Sequence, residues 1–443
     1  MRFAGRCPRV RVRVCITDRT LPLRGTRHRC ARRSLFAGEP AARVRVQTTT
    51  GDGAMKLPPL VQPAAELSAA EIGRYSRHLL LPDVGLEGQR RLKTSKVLVV
   101  GAGGLGSPVL LYLAAAGVGT LGIVEFDVVE TSNLQRQIIH GVSDVGRPKA
   151  ESARASIGEI NPCVDVRLHA DRLDAANALS VIVDYDLIVD GTDNFATRYL
   201  VNDACALAGK PYVWGSVFRF EGQASVFWED APNGAGLNYR DLYPEPPPPE
   251  LAPSCAEGGV LGILCASIGA MMATEAVKLI TGLGETLLGR LAIYDALDMT
   301  YRFLPLRRDP ARVPITALAD YPAFCGLQRR EADEDAPPAI SATELKRWQD
   351  RGEDFTLIDV REASEWQIVR IPGARHIPKD QLVAPDMVAR LDRQQPIVLH
   401  CKSGARSRSV LLALQRQGFT NLRHLDGGIL AWIKNVDPSL PHY

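Results

Sequence analysis

At 443 residues the chain exceeds what one hydrophobic core usually organises, so at least two folded units are expected. With 46% hydrophobic and 23% charged residues, the composition is that of a globular protein and excludes a collagen-like or coiled-coil chain. The formal charge of +3 conceals an Arg-rich start: residues 1–54 hold 13 Arg, no Lys and only Asp18, Glu39 and Asp52 as acids, a charge of +10, which leaves −7 for the rest and disfavours nucleic-acid binding there.

Residues 1–54 interleave Arg with Val and Pro, as in Arg9-Val10-Arg11-Val12-Arg13-Val14, and show no helical periodicity. They are expected to be disordered, with the ordered protein beginning at Met55 and the preceding residues an over-extended start. Arg richness resembles a mitochondrial transit segment, but no amphipathic helix supports that alternative. Nine Cys, scattered singly with three in this start, form no disulfide framework and fit a reducing cytoplasm. The longest apolar run, Gly258 to Thr274, falls short of a bilayer span and reads as a buried helix, so no membrane partner is expected.

Along the body, the apolar run Lys96–Val100 stops at a glycine cluster and is followed by helical character from Leu105 to Ala116. A second strand is expected over Thr120–Phe126, then a helix opening near Pro148 and closing before Asn161-Pro162. Strands at Val164–Leu168, Leu187–Asp190 and Tyr212–Val217 alternate with helical segments, implying a Rossmann-like, mostly parallel α/β sheet covered on both faces. After Gly222 adjacent strands, Gln223–Trp228 and later Arg290–Tyr294 with Tyr301–Leu306, predict an antiparallel extension. Pro244–Ser254 is a proline-rich loop between them. The acidic stretch 329–338 reads as a linker, dividing residues 55–328 from a second unit over 339–443.

Gly101-Ala102-Gly103-Gly104-Leu105-Gly106 lies between strand and helix, where glycines let a phosphate approach backbone N–H groups and a helix N-terminus. Glu125, at the end of the next strand, is placed to accept from ribose hydroxyls. These two features alone would suggest a nicotinamide dinucleotide. Ser132-Asn133-Leu134-Gln135-Arg136-Gln137, Arg147-Pro148-Lys149 and Asp190-Gly191-Thr192-Asp193-Asn194 argue instead for a triphosphate, which needs cations to offset its charge and a carboxylate for Mg²⁺.

Residues from about Arg74 to Gly326 resemble the ThiF/MoeB group of the ubiquitin-activating-enzyme-like superfamily. The motifs carrying this are Arg74-Tyr75-Ser76-Arg77, Gly101 to Pro108, Ser132 to Gln137, Asp193-Asn194, Arg219 to Gln223, Cys255-Ala256-Glu257-Gly258-Gly259 and Gly289 to Ala296. The resemblance implies that Gly103, Gly104, Glu125, Ser132, Asn133, Arg136, Gln137, Lys149 and Asn194 bind ATP, that Asp193 binds Mg²⁺, and that Arg77 reaches the site of a second subunit in a homodimer. It makes Cys255, at the end of the proline-rich loop, a candidate for a covalent link to the activated partner. Many relatives carry two Cys-x-x-Cys pairs for zinc, but the first place reads Asn238-Tyr239-Arg240-Asp241 and the second offers only Cys325, so no structural zinc is expected.

In the second unit Pro396–His400 reads as a strand delivering Cys401 into Cys401-Lys402-Ser403-Gly404-Ala405-Arg406-Ser407 ahead of a helix, an anion-cradling loop. Four residues between Cys and Arg make a tighter bowl than the five of a phosphatase, suited to a persulfide sulfur. With Leu357 to Glu362, Ile371 to Ala374 and Leu425 to Gly428, this unit resembles a rhodanese domain, a smaller α/β fold, which implies that Cys401 carries a persulfide. Lys402, Arg406, the N–H cradle and the helix N-terminus are expected to stabilise its anion.

Together the two resemblances imply a bifunctional adenylyltransferase and sulfurtransferase. It would adenylate the C-terminal glycine of a ubiquitin-like sulfur carrier ending in Gly-Gly and then supply sulfur, for molybdenum-cofactor, thiamine or cysteine synthesis. A cysteine desulfurase or thiosulfate would be the persulfide donor. The alternative is a ubiquitin-like activator that passes a Cys255 thioester to a conjugating enzyme.

Overall fold

The computed structural model describes residues 56–247, 258–325 and 337–443. The Arg-rich start, Cys255 and most of the acidic linker lie outside the described residues.

Eight strands form the first sheet: β1 (Lys96–Val100), β2 (Thr120–Val124), β3 (Asp165–His169), β4 (Leu187–Asp190), β5 (Tyr212–Phe218), β6 (Glu221–Phe227), β7 (Arg290–Asp295) and β8 (Thr300–Pro305). Their order is β3-β2-β1-β4-β5-β6-β7-β8. The first five run parallel, and β6 to β8 add the antiparallel extension. Val97–Val100 and every residue of β2 and β4 are buried, as interior parallel strands covered on both faces require. β6 starts at Glu221, two residues earlier than its apolar run suggests, because the tight turn from β5 is made at Arg219, whose φ is +52°. Side-chain polarity does not report that backbone pairing.

β1 lies between β2 and β4, so the chain reverses its direction of travel across the sheet there, and a crevice opens beyond the strands' carboxyl ends. The glycine loop fills the start of that crevice and leads into the helix Gly106–Ala116. A Cβ on Gly106 would stand 1.9 Å from the Gly101 carbonyl oxygen, so only glycine permits this close return of the backbone.

The apolar run after the proline-rich loop forms the helix Gly262–Thr281, long and apolar enough to cross a membrane by composition alone. It packs instead into the first core. Ile268 and Met272 sit where side chains on Gly222 and Gly215 would be, each 2.3 Å from the missing Cβ. Glu275, buried within it, pairs with Lys278 at 2.5 Å and accepts from the Leu287 N–H at 2.7 Å, so its charge is met inside the protein.

Where relatives are expected to hold zinc, this chain has ion pairs. The fully buried Asp241 carboxylate pairs with Arg312 at 2.5 Å, Arg312 also reaches Glu229 at 2.6 Å, and Arg240 chelates Asp203 at 3.0 and 2.7 Å. Tyr321 donates to the same Asp203 at 2.8 Å. These groups do not fit zinc: the carboxylates are engaged by guanidinium groups, and burial pushes the Cys325 thiol up, away from the thiolate that a zinc site needs. Among the described residues no cluster of three or more His, Cys, Asp or Glu is arranged around a metal position.

A second, wholly parallel sheet contains β9 (Ala339–Ile340), β10 (Thr356–Asp359), β11 (Arg375–His376), β12 (Ile397–His400) and β13 (Leu422–Leu425) in the order β11-β10-β12-β13-β9. β12 is central, so the residue that follows it emerges from the middle of the sheet. Two cores flank the sheet, one around Leu399, Val410 and Leu414 and the other around Leu345, Ile371 and Trp432.

Candidate functional site

The first site is the crevice itself, a cleft of about 950 Å³ with its open mouth included. Gly103, Gly104, Glu125, Arg136, Gln137, Lys149, Asp193 and Asn194 line it, from the glycine loop, the end of β2, the turns after it and the turn after β4. The Glu125 carboxylate accepts three backbone N–H groups, from Ala102 at 3.0 Å and from Phe126 and Asp127 at 2.9 Å each. A carboxylate has about four acceptor positions, so roughly one is left for a ribose hydroxyl. Its main task here is to tie the glycine loop to the end of β2.

Lys149 is the first residue of the helix Lys149–Ile160 and is buried, with Nζ 3.2 Å from Asp127 Oδ2. Arg136 is half-buried and donates to the Ser132 carbonyl at 3.2 Å. Gln137 lines the cleft and is buried, and its Oε1 has no hydrogen-bond partner among the described residues. Asn194 caps the helix Phe195–Leu207, its side chain accepting from the Thr197 N–H at 2.9 Å.

The two acids at the end of β4 and in the turn after it divide sharply. Asp190 is fully buried and accepts from the Thr192 N–H and hydroxyl at 3.0 and 2.7 Å, and burial raises its carboxyl above the usual range. Asp193 is exposed at the cleft wall and, among the described residues, no hydrogen bond or ion pair engages it, so its oxygens are available. One free carboxylate beside a polyphosphate is what Mg²⁺ requires, since the phosphates and water supply the remaining oxygens. Asp193 therefore fits the metal and Asp190 does not.

Three sequence candidates stand elsewhere. Ser132 is exposed and donates to Glu130 at 3.2 Å, and Asn133 turns its side chain back to the Glu130 N–H at 3.1 Å, so neither lines the cleft. Asn133 supports the site indirectly, because its carbonyl accepts the N–H groups of Arg136 and Gln137 and so sets their positions. Arg77 is exposed on the short helix Ser76–Leu79 and does not line its own chain's cleft. Conversely, Arg198 and Cys265 line the cleft without having been singled out by motif. Arg198 lies one helical turn after Asn194, a spacing that could have revealed it. Cys265 comes from the distant apolar helix, and a Cβ on Gly104 would be 2.8 Å from its Sγ, so the glycine at 104 makes room for that thiol. His140 also props the loop, placing Nε2 3.1 Å from the Ala102 carbonyl and Nδ1 2.8 Å from the Ser152 hydroxyl.

The second site is the loop after β12. Cys401 is buried, and its Sγ takes the Gly404 N–H at 3.1 Å and the Ser407 hydroxyl at 3.6 Å. Gly404 has φ +104°, a conformation open to glycine, and this turns its N–H toward the sulfur. Arg406 chelates Glu365 through both terminal nitrogens at 2.6 and 2.8 Å. The Glu365 carboxyl is correspondingly lowered, burial being outweighed by the Arg406 hydrogen bonds and charge. Arg406, expected from the sequence to help stabilise the Cys401 anion, is here half of an ion pair with Glu365.

Beneath the loop, Arg361 and Asp359 form a fully buried pair, with Nε 2.9 Å from Oδ1. Beside them His400 is pushed down to about 4 by burial and is neutral at pH 7. Cys401 itself has no exposed surface.

Residues 75–314 match the ThiF family model and residues 341–435 the rhodanese-like domain model. The chain belongs to the ThiF family. It is 61% identical over 388 residues to the probable adenylyltransferase/sulfurtransferase MoeZ of Mycobacterium tuberculosis, covering 87% of this chain and 99% of that one. It is 42% identical over 397 residues to the adenylyltransferase and sulfurtransferase MOCS3 of Drosophila ananassae, covering 85% and 87%.

This ThiF-family chain is accordingly a bifunctional adenylyltransferase and sulfurtransferase, and its two sites fall within the two matched segments. The cleft lies in the first, and the Cys401 loop in the second.

Proposed function

We propose that this ThiF-family enzyme adenylates the C-terminal glycine of a ubiquitin-like sulfur carrier ending in Gly-Gly and then converts it to a thiocarboxylate with sulfur carried on Cys401. The observation that carries the first half is the pairing of buried Lys149 and half-buried Arg136 with the free carboxylate of Asp193 around one glycine loop. A triphosphate and its Mg²⁺ need that combination, and a nicotinamide dinucleotide does not.

In this reading the carrier's carboxylate attacks the α-phosphorus of ATP, a P–O bond forms, and pyrophosphate leaves with the electron pair of the broken bond. Arg136, Lys149 and Arg77 of a second subunit offset the charge gathering on pyrophosphate, and Gly103, Gly104, Gln137 and Asn194 hold the nucleotide. Mg²⁺ on Asp193 would supply further charge neutralisation. A groove that shares Arg198 and Val217 with the cleft is lined by Phe195, Trp214, Phe218 and Tyr243, and suits an extended carrier tail. Trp214 Nε1, buried there without a partner among the described residues, is a donor for one of the tail's carbonyls.

The outer sulfur of the Cys401 persulfide then attacks the acyl-adenylate carbonyl and AMP departs, leaving an acyl disulfide. A second thiol, for which Cys255 is the candidate, attacks Cys401 Sγ, takes up the disulfide and frees the thiocarboxylate. The rhodanese-like domain favours this course over transfer of a Cys255 thioester to a conjugating enzyme. An external thiol reductant would then reopen the resulting disulfide and restore the Cys401 thiolate, which a cysteine desulfurase or thiosulfate would reload, in a cytoplasmic homodimer serving molybdenum-cofactor, thiamine or cysteine synthesis.

Carrier-dependent exchange of radiolabelled pyrophosphate into ATP tests the first half. We expect exchange only when a Gly-Gly carrier and Mg²⁺ are both present. A dinucleotide oxidoreductase or a pure binding module would give none with any carrier.

A further inference from the structure

Tyr443 touches both ends of the Cys401 loop's charge arrangement. Lys402 Nζ, next in sequence to Cys401, lies 4.5 Å from the centroid of the Tyr443 ring. The Tyr443 hydroxyl donates to Glu365 Oε1 at 3.2 Å and accepts from Arg361 Nη1. Glu365 is the carboxylate that chelates Arg406 at the other end of the loop. The ring packs against the core around Leu345, Ile371 and Trp432, so its place is fixed by apolar contact. Burial pushes its phenol up to about 12, which keeps the hydroxyl a proton donor at neutral pH.

We propose that Tyr443 is a positioning residue for sulfur transfer, its ring holding the Lys402 ammonium and its hydroxyl steadying the Glu365–Arg406 pair, so that the loop keeps its cations set for an anionic sulfur donor. A cation over an aromatic face is held by the ring's electrostatic field, and a long Lys chain loses that anchor when the ring is removed. The adenylation cleft has no part in this, and the inference rests on the reading of Cys401 as the sulfur-bearing residue.

The test is steady-state transfer of sulfur from thiosulfate to cyanide by the full chain. The Cys401 thiolate attacks the sulfane sulfur, the new bond forms at Sγ, and sulfite leaves with the electron pair of the old one. Cyanide then removes the sulfane as thiocyanate and restores the thiolate. Tyr443→Leu is expected to raise KM for thiosulfate about fivefold to tenfold while kcat changes by less than about threefold. Tyr443→Phe, which keeps the ring over Lys402 but loses the bond to Glu365, should raise KM about twofold to threefold, less than Tyr443→Leu. Lys402→Met should raise KM at least as far, and adding Tyr443→Leu to it should raise KM no further, because the two residues act as one unit.

An unchanged KM in Tyr443→Leu, fully additive effects in the double variant, or a fall in kcat alone, as a loss of folded protein would give, would each overturn the inference. If the unsubstituted chain transfers no more sulfur than Cys401→Ala, the sulfur-bearing reading of Cys401 falls and this inference with it. Transfer above that background with any of the first three results defeats the Tyr443 inference alone.

Discussion

Cys401→Ala is expected to stop sulfur delivery to the carrier while leaving carrier-dependent pyrophosphate exchange within about twofold of the unsubstituted enzyme. The side chain is small and buried, and its Sγ is the centre on which the Gly404 N–H and Ser407 hydroxyl converge. Alanine removes that sulfur and preserves β12, the Glu365–Arg406 brace and the buried Asp359–Arg361 pair. No cleft residue belongs to this loop, so the acyl-adenylate should still form and accumulate. Thiocarboxylate read by mass, with exchange run in parallel, checks both halves. Loss of exchange in Cys401→Ala would show that the two chemistries are not divided as proposed.

Asp193→Ala should give the opposite pattern, lowering pyrophosphate exchange by at least about a hundredfold, equivalent to about 3 kcal/mol of transition-state stabilisation. Of the two acids at the end of β4 and in the turn after it, Asp190 is committed to Thr192 and burial raises its carboxyl, whereas Asp193 is exposed on the cleft wall with no hydrogen bond or ion pair engaging it among the described residues. Removing Asp193 takes away the carboxylate available to Mg²⁺ and leaves the turn's internal hydrogen bonds intact. Sulfur transfer from thiosulfate to cyanide should be untouched, because it needs the Cys401 loop alone. Full exchange in Asp193→Ala would move the metal, or the need for one, elsewhere.

The parallel strands were legible because burial on both faces leaves a plain apolar run: Lys96–Val100 and Leu187–Asp190 have the same ends in sequence and structure. The two-residue strands β9 and β11 are too short for any periodicity to announce them. In the site, residues at strand ends were legible because a parallel sheet gathers its carboxyl ends along one edge. Which way a side chain turns inside a short loop was not. Ser132 and Asn133 share a motif with Arg136 and Gln137, yet the helical turn Thr131–Asn133 points the first pair at Glu130.

Partnerships across long sequence separations were equally silent. Arg406 and Glu365 are 41 residues apart, Tyr443 and Glu365 are 78 apart, and nothing in either neighbourhood advertises the other. Cys265 meets Gly104 because two glycine-lined strands admit a helix that sequence alone shows only as apolar.

The most direct measurement is the intact mass of a Gly-Gly carrier after incubation with the enzyme, ATP, Mg²⁺ and a persulfide donor. The account predicts a carrier whose terminal carboxylate has exchanged one oxygen for sulfur, formed only when Asp193 and Cys401 are both present. A carrier that stays a carboxylate, or one recovered solely as a thioester on the enzyme, would contradict it.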